Sequence, residues 1–234
     1  MNKTVIKFKD INVSNASKFG KVAVLLGGKS AEREVSLDSG AAVLEALVRS
    51  GVNAEAFDPQ ERSVTELVGY DRAFIVLHGR GGEDGTMQGM LEILGLPYVG
   101  SGVLASSLAV DKIMSKRFYE QANLPTAPAV FAHNDAAFDK DTFIDDAVAK
   151  LGEHLVIKPA TEGSSIGMSI ISEKSELSAA LDTAFSSDSH VLVEKFIPGD
   201  ELTVAVVGNG DLEALPPVEI TAEAEISVEV LFKS

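Results

Sequence analysis

The 234 residues include 35 acidic and 20 basic side chains, which gives a formal charge of −15, and 45% of the residues are hydrophobic. This charge disfavours non-specific binding to nucleic acid or to anionic membranes. Because the sequence contains no cysteine, it excludes disulfides, thiolate zinc sites and cysteine nucleophiles. No apolar run approaches the roughly 18–20 residues of a membrane span, and the start lacks a signal-peptide pattern. We therefore expect a cytoplasmic protein with one large or two modest domains.

The first half alternates strand-like and helix-like segments. Residues 1–19 are predicted to be a polar N-terminal extension or a short edge strand. A strand at 21–26 ends in two glycines, and the helical spacing of Val35, Ala42, Val43, Leu47 and Val48 then predicts an amphipathic helix that Gly51 closes. Further strands are expected at 53–58, 72–79 and 97–100, with a helix over 86–95. This order predicts a mostly parallel α/β domain over 20–109.

The second half has a different pattern. One long helical segment is predicted to end at Asn123, after a domain boundary near Ala109. Strands are expected at 154–159, 165–172, 190–197 and 201–208, with helices over about 142–151 and 175–185. The dipeptide Asn209-Gly210 predicts a hairpin. We expect an α+β, partly antiparallel domain that divides into 110–193 and 194–234.

The segment VLLGGKSAEREVS, residues 24–36, contains Gly28-Lys29-Ser30, which looks like the end of a phosphate-binding P-loop. That motif needs another glycine at the position of Ala23. The spacing of the glycines also fails the dinucleotide fingerprint. The match to both phosphate-binding motifs therefore fails. The loops 27–34 and 78–85 nevertheless both leave the carboxyl ends of strands, where ligands bind in parallel sheets.

The segment VIKPATEGSSIGM, residues 156–168, is the first candidate for phosphate binding. Lys158 supplies a point charge at the end of a strand, and the loop 163–167 offers backbone N–H groups and hydroxyls. Together they predict a clamp for a triphosphate. The alternative is a hairpin whose Gly and Ser residues only satisfy turn geometry.

The segment VLVEKFIPGDELTV, residues 191–204, is the second candidate. A strand brings Glu194 to an extended linker, and Glu201 begins the next strand. An adenine is recognised by backbone groups of such a linker, and a ribose by a carboxylate. The alternative is that both glutamates are solvated beside a turn.

Six segments in a fixed order carry a resemblance to a known family: LGGKSAEREVS, LHGRGGEDG, LPYVGSG, DKIMSK, IKPATEGSSIGM and EKFIPGDELTV. In this succession they resemble the D-alanine–D-alanine ligases of the ATP-grasp superfamily, over about residues 21–220. The resemblance implies a parallel pre-ATP-grasp domain followed by an ATP-grasp domain that is incomplete at its C-terminus. It also implies ATP-dependent joining of two D-alanines through an acyl phosphate, for peptidoglycan synthesis.

The resemblance further implies which residues bind ATP. Lys112 and Lys158 neutralise the phosphates, with the loop 163–167 acting as a lid. The expected ATP-binding set is Lys112, Lys158, Glu162, Gly163, Ser164, Ser165, Gly167, Glu194, Lys195, Phe196, Ile197 and Glu201.

For the first D-alanine, the resemblance implies that Glu32 holds the ammonium, since a buried amine needs an opposed carboxylate. Ser164 is its expected hydrogen-bonding partner, and these two are the expected catalytic residues. His78 is expected to hydrogen-bond the same substrate, with a satisfied core histidine as the alternative. The two glycines of the first loop would let the turn approach the substrate closely.

Several other polar residues are expected to have structural roles. Lys29 is predicted to be an exposed loop lysine, and Arg33 and Glu34 to be ordinary residues of a helix start. Glu83 and Asp84 are predicted to point apart, with Asp84 or Thr86 capping the following helix. No role is assigned to three histidines: His133, His154 and His190.

The sequence also departs from the family. Family members continue beyond the end of this chain, and the missing part carries the ligands for Mg²⁺ (or Mn²⁺), so no metal ligand is expected in this chain. Residues 221–234 differ from the family pattern, and the apolar faces of 201–208 are expected to be exposed unless a partner chain covers them. Two alternatives stay open: a non-catalytic remnant that binds nucleotide or other subunits, and a ligase that uses D-lactate or D-serine as its second substrate. D-alanine and ATP are the expected partners, and a homodimer is kept as an expectation.

Overall fold

A computed structural model of the chain describes residues 15–163 and 165–220. The chain divides between Asp111 and Lys112 into two compact units. The predicted N-terminal extension lies mostly outside the described residues, and its last part, Ala16–Phe19, forms a short 3₁₀ helix. In the described ranges, no helix is long and apolar enough to cross a membrane.

The first unit is built on a four-stranded parallel sheet, which confirms the predicted fold class. Its strand order is β2-β1-β3-β4, and every neighbouring pair is parallel. A 3₁₀ helix, Val64–Gly69, precedes β3. The elements are β1 (Lys21–Leu25), α1 (Arg33–Arg49), β2 (Asn53–Phe57), β3 (Arg72–Ile75), α2 (Thr86–Leu94), β4 (Tyr98–Val99) and α3 (Val103–Val110).

The central strand β1 is buried on both faces, as its continuous apolar run predicts. On one face Leu25 and Phe57 pack with Leu91 of α2 in the core of this unit. The buried face of α1 differs from the prediction, because Val35 and Val48 are 41% and 53% exposed. The helix instead buries small residues, Ser36 and Gly40. A Cβ on Gly40 would lie 2.4 Å from Leu26 Cβ, so this close approach requires glycine.

The second unit contains a four-stranded antiparallel sheet of order β5-β8-β6-β7. This confirms the predicted change from a parallel to an antiparallel sheet. A 3₁₀ helix, Lys174–Glu176, precedes α6. The elements are α4 (Lys112–Gln121), β5 (Ala129–His133), α5 (Lys140–Leu151), β6 (Leu155–Pro159), β7 (Ser169–Ile171), α6 (Leu177–Phe185), β8 (His190–Lys195), β9 (Glu201–Thr203), β10 (Val206–Asn209), β11 (Asp211–Ala214) and β12 (Val218–Ile220).

Alternation along β6 and β8 separates the two faces of this sheet. Ile157 and Val193 are fully buried against α5 and α6. Leu192 belongs to the opposite face, where it packs with Ile113 of α4. Since Lys158 pairs with Leu192 in the ladder, its side chain shares the face that α4 covers.

Two sequence predictions are wrong in detail. The long helix expected up to Asn123 is broken at Asp111, whose ψ of 100° is extended. The strand expected over 201–208 is interrupted after Thr203, and its parts pair with different strands. The hairpin at Asn209-Gly210 is confirmed by the pairing of β10 with β11. As expected for 201–208, apolar side chains there are exposed, with Leu202 at 60% and Val206 at 59%.

Candidate functional site

In the first unit, two loops leave the carboxyl ends of the adjacent parallel strands β1 and β3. The loop after β1 carries the two glycines and Glu32, and the loop after β3 carries His78. The Ser30 hydroxyl connects them, since it donates to His78 O (2.8 Å) and accepts from Glu32 N (3.2 Å). The fold therefore brings two predicted site residues, Glu32 and His78, into one loop cluster.

The two-glycine turn has its polar backbone groups bound by side chains of its own unit. Gly27 N donates to Ser36 Oγ (2.9 Å), and Gly28 N donates to Asp58 Oδ1 (3.1 Å). Arg33 Nη1 in turn donates to Gly28 O (2.9 Å). Because these amides already have internal acceptors, the turn does not present them to phosphate, which agrees with the exclusion of a P-loop.

An ion pair packs directly against this turn. Arg33 Nη2 lies 2.7 Å from Asp58 Oδ2, and a Cβ on Gly27 would lie 2.5 Å from the same oxygen. Gly27 has a φ of 77°, so both space and backbone conformation require glycine here. Arg33 does begin α1, but the prediction of an ordinary helix-start residue is incomplete, because its guanidinium shapes the turn.

The carboxylate of Asp58 stays ionised despite its burial. Burial acts to raise the pKa of Asp58, but the bond from Arg33 and the amides of Gln60 and Gly28 outweigh it, and the pKa is lowered. Sequence reasoning missed Asp58. The only available signal was its position at the carboxyl end of β2, beside the end of β1 in the parallel sheet.

Glu32 is the buried acidic residue of the loop cluster. It is 6% exposed, and a Cβ on Gly79 would lie 2.5 Å from Glu32 Oε2. The carboxylate thus packs against the backbone of the β3 loop, while Lys29 is exposed as predicted. A buried carboxylate is a group that can hold a cationic ligand such as an ammonium.

The ring of His78 is held between two polar side chains. Nε2 lies 3.1 Å from Ser39 Oγ, and Nδ1 lies 3.4 Å from Glu83 Oε1. The hydroxyl hydrogen of Ser39 is donated to Val35 O at 2.7 Å. Both ring nitrogens therefore lie beside polar atoms of the same unit, which fixes the orientation of the imidazole.

The adjacent carboxylates of Glu83 and Asp84 point to different groups, as predicted. Glu83 Oε2 accepts from Gly79 N (3.1 Å), whereas Asp84 accepts from Gly81 N (2.8 Å) and Thr86 N (2.9 Å). Asp84 thereby binds the first amide of α2, although the N-cap position itself is Gly85. Burial acts to raise the pKa of Asp84, but the bonds from Gly81 and Thr86 prevail and lower it.

A cavity of about 220 Å³ opens beside these loops. Its lining includes Gly28, Pro59, Leu77, His78 and Arg80, but not Glu32. A larger groove of about 400 Å³ is lined almost entirely by apolar side chains, among them Val22, Leu47 and Phe74. Recognition of a small polar ligand requires convergent polar groups, so the smaller cavity is the better candidate.

In the second unit, Lys158 and Glu194 form the centre of the other candidate site. Lys158 Nζ lies 2.9 Å from Glu194 Oε2. The residues are diagonal neighbours across β6 and β8, because Lys158 pairs with Leu192 and Val156 with Glu194. The sheet therefore unites two predicted ATP-binding residues that are 36 positions apart in the sequence.

A second lysine, which sequence reasoning missed, completes this group. Lys116 Nζ lies 2.7 Å from Glu194 Oε1, and Lys116 is only 4% exposed. The available signal was its spacing of three residues from Ile113, which puts both on the buried side of α4. Burial acts to raise the pKa of Glu194, but the bonds and charges of Lys116 and Lys158 outweigh it and lower the pKa.

Lys112 binds the loop that follows β6. Its Nζ donates to Glu162 O and to Ala160 O, and its backbone N donates to Ala160 O (3.0 Å). Asp188 holds the same loop, since Asp188 Oδ2 accepts from Thr161 N (2.9 Å) and Thr161 Oγ1 (2.7 Å). The base of the predicted lid is therefore fixed by a lysine and an aspartate, of which the sequence indicated only the lysine.

The predicted lid, residues 163–167, is a tight turn whose Ser164 lies outside the described residues. Ile166 N donates to Gly163 O (3.0 Å) and Met168 N to Ser165 O (3.1 Å). Gly167 has a φ of 67°, and a Cβ there would lie 2.8 Å from a carbon of Pro159. The buried Ser165 Oγ has no hydrogen-bond partner within the described part of the chain.

The predicted adenine linker continues from β8. Lys195 N donates to Pro128 O (2.9 Å), and Phe196 N donates to His154 O (3.0 Å). The rings of His154 and Phe196 stack with centroids 4.1 Å apart, so His154, which was assigned no role, supports the linker. Ile197 is 60% exposed.

Glu201, the expected ribose ligand, begins β9 and is half-buried. Its backbone pairs with Ile220. Among residues 15–163 and 165–220, no group of three or more His, Asp or Glu side chains is arranged to hold a metal ion.

The comparisons with known proteins agree on one family. Residues 53–101 match the family described as "D-ala D-ala ligase N-terminus", and residues 118–228 match "D-ala D-ala ligase C-terminus". The D-alanine–D-alanine ligase of Acinetobacter baylyi is 55% identical over 215 residues, which cover 92% of this chain and 67% of the relative. The Acinetobacter baumannii ligase is 54% identical with the same coverage. The chain thus spans about two thirds of the length of these relatives.

Solved structures give the same result. The D-alanine–D-alanine ligase of Bacillus anthracis, solved in complex with ATP, is 32% identical with a TM-score of 0.74, and the match covers 88% of this chain and 67% of that one. The Coxiella burnetii ligase is 26% identical with a TM-score of 0.75, covering 86% and 70%. The fold, the motifs and the identity all lead to one assignment. The chain belongs to the D-alanine–D-alanine ligase family.

Proposed function

We propose that this chain functions in the ATP-dependent joining of two D-alanines to D-alanyl-D-alanine. The observation that carries the proposal is the identity of 54–55% to D-alanine–D-alanine ligases over 215 residues. As parts of the same proposal, the dipeptide serves peptidoglycan synthesis and the reaction takes place in the cytoplasm. A homodimer remains a prediction.

The second unit binds ATP in this proposal. The ATP complex of the related Bacillus anthracis ligase supports ATP as the nucleotide. Lys158 and Lys112 supply positive charge to the phosphates, and the turn 163–167 covers them. The hydroxyl of Ser165, which has no hydrogen-bond partner among the described residues, can donate to a phosphate oxygen. The linker 195–197 provides backbone groups and apolar contacts for adenine, and Glu201 accepts from the ribose hydroxyls. Glu162, Gly163 and Gly167 contribute the backbone of the lid. Glu194 belongs to the part of the site that binds adenine.

The first unit binds the first D-alanine in this proposal. The buried carboxylate of Glu32 pairs with the substrate ammonium, and the His78 ring, which Ser39 and Glu83 orient, hydrogen-bonds the same substrate. Ser164, the expected hydrogen-bonding partner of Glu32, lies outside the described residues. A small cavity is enough for this substrate, because D-alanine is smaller than the ligands that typical pockets bind.

The chemistry needs two successive steps. The carboxylate of the first D-alanine attacks the γ-phosphorus of ATP, which releases ADP and forms an acyl phosphate. The amine of the second D-alanine then attacks the acyl carbon, loses a proton and expels phosphate. For both steps this chain positions the reactants and neutralises charge with its lysines.

Mg²⁺ is expected from the family, where it reduces repulsion between the reacting oxygens. The described residues offer no cluster of carboxylates or histidines for it. No step is therefore assigned to a metal ion held by these residues.

The test is to incubate the chain with ATP, Mg²⁺ and D-alanine and to measure both phosphate and dipeptide. Phosphate release that depends on D-alanine, with formation of D-alanyl-D-alanine, supports the proposal. L-alanine is the control for the substrate, and D-lactate or D-serine offered together with D-alanine tests the second position. Measurable ATP binding without D-alanine-dependent product would contradict the ligase function for this chain.

A further inference from the structure

Lys116 is a buried lysine whose ammonium has three acceptors. Nζ donates to Thr126 Oγ1 (2.7 Å), to Ala127 O (2.6 Å) and to Glu194 Oε1 (2.7 Å). A lysine ammonium has three N–H donors, so all of them are used. With its side chain 5% exposed, Lys116 is fixed in one position between α4, the 126–127 segment and β8.

Glu194 lies between this lysine and Lys158, and the two lysines differ in their surroundings. The Lys158 side chain is 23% exposed, against 5% for Lys116. Glu194 itself is 13% exposed at its side chain. A carboxylate buried to this degree needs at least one cation beside it, because an unpaired buried charge is strongly destabilising.

We propose that Lys116 is a positioning residue that neutralises Glu194 so that Lys158 can turn to the nucleotide phosphates. This inference rests on the proposed function, in which Lys158 binds ATP. When Lys158 leaves Glu194, Lys116 remains and keeps the carboxylate paired. The three-residue group thus allows one lysine to change partner while the other does not.

The energetic argument predicts a specific coupling. Without the charge of Lys116, Glu194 has Lys158 as its remaining cation in this group, and phosphate binding must compete with that ion pair. Loss of the Lys116 charge is therefore expected to weaken the binding of phosphate-bearing ligands but not the binding of adenosine. If Glu194 is made neutral as well, the ion pair between Glu194 and Lys158 no longer competes with phosphate binding, and the cost of losing Lys116 disappears.

The experiment measures the affinities of ATP and adenosine for the full chain by calorimetry or NMR. Lys116→Met is expected to weaken ATP binding at least about tenfold, because a buried charge loses its partner. Adenosine binding is expected to change less than about threefold, which is within roughly 0.7 kcal/mol. Because Glu194 itself belongs to the proposed ATP site, Glu194→Gln is the reference for the double variant, and Lys116→Met is expected to change ATP affinity less than about threefold when Glu194 is already Gln. Lys174→Met is the matched control, because Lys174 also pairs with a carboxylate, that of Asp145, but is half exposed and outside the site.

Equal losses for ATP and adenosine, or a loss from Lys116→Met that is as large in the Glu194→Gln background as in the wild type, would show that Lys116 has only a structural role. If Lys116→Met does not fold, Lys116→Gln keeps a hydrogen-bond donor without the charge, and the same outcomes apply. Failure of the wild-type chain to bind ATP would contradict the proposed function itself. Wild-type binding with an unaffected Lys116 variant would contradict only this inference.

Discussion

Arg33 Nη2 lies 2.7 Å from Asp58 Oδ2, and this ion pair encloses the turn that leads to Glu32. The same aspartate accepts from the amides of Gly28 and Gln60. Asp58 therefore joins the ends of β1 and β2 through backbone bonds as well as through charge. The conformation of the first loop depends on side chains that contact no substrate in the proposed reaction.

Asp58→Ala should destabilise the first unit and weaken D-alanine use. The buried amide of Gly28 would lose its acceptor, which costs roughly 1–3 kcal/mol in the free energy of unfolding. Urea denaturation measures the stability, and the KM for D-alanine measures the effect on the loop. Glu61→Gln is the control, because Glu61 lies 3.5 Å from the same guanidinium but is 71% exposed. Equal effects of the two substitutions would show that Asp58 has no special role in the turn.

Gly27→Ala should destabilise the protein more than Gly81→Ala. Both glycines have positive φ, 77° and 81°, so both variants carry the backbone strain of roughly 1–2 kcal/mol. Only at Gly27 would the added Cβ meet Asp58, at 2.5 Å, whereas nothing lies within 4 Å at Gly81. The difference in unfolding free energy between the two variants isolates the steric term. Identical unfolding free energies of the two variants would show that the ion pair of Arg33 and Asp58 moves aside without a cost in stability.

Glu32→Gln should impair D-alanine use and leave ATP binding unchanged. The neutral amide keeps the shape of the side chain but removes the charge that opposes the substrate ammonium. We expect the KM for the first D-alanine to rise at least about tenfold, as expected for a buried ion pair. Glu34→Gln is the control, since Glu34 is exposed in the first turn of the same helix. A normal D-alanine dependence in Glu32→Gln would remove this residue from the substrate site.

His154→Ala should weaken ATP binding through the linker. The stacked pair of His154 and Phe196 orients the segment proposed to contact adenine, and such a pair contributes about 0.5–1.5 kcal/mol. The expected loss is therefore roughly two- to tenfold in affinity. His133→Ala is a close control, because His133 stacks on His190 at 4.2 Å and lies outside the proposed site. If both variants bind ATP like the wild type, the stack does not position the linker.

The stability contributed by Asp84 should depend on pH. Its pKa is lowered, because the bonds from Gly81 and Thr86 outweigh burial. This contribution is full above the unfolded pKa of about 3.9 and is lost as the pH falls through the lower pKa of the folded state. Asp84→Asn should therefore be less stable than the wild type at pH 6, and the gap should narrow below about pH 4. Unfolding in urea at a series of pH values measures the difference in unfolding free energy between the two proteins. A difference that does not change with pH would show that the charge of Asp84 does not stabilise the fold.

The sequence alone determined the order of strands and helices, the change from a parallel to an antiparallel sheet, and the family. These features depend on local periodicity and on motif order, which a linear chain carries explicitly. It did not locate the break at Asp111, because apolar residues at helical spacing lie on both sides of it. It also did not locate the interruption after Thr203, because the apolar run continues there and only the pairing partners separate the two strands.

The tertiary structure alone decided which side chains meet. Lys116 lies four residues after Lys112 on the same helix, yet its burial beside Glu194 depends on how α4 packs on the sheet. Asp58 and Arg33 come from different elements, and their pairing follows from the adjacency of β1 and β2. Charged residues are usually solvated, so local spacing alone does not specify that these residues are buried. These burials arise because a buried charge must find its partner in space, whatever the distance in sequence.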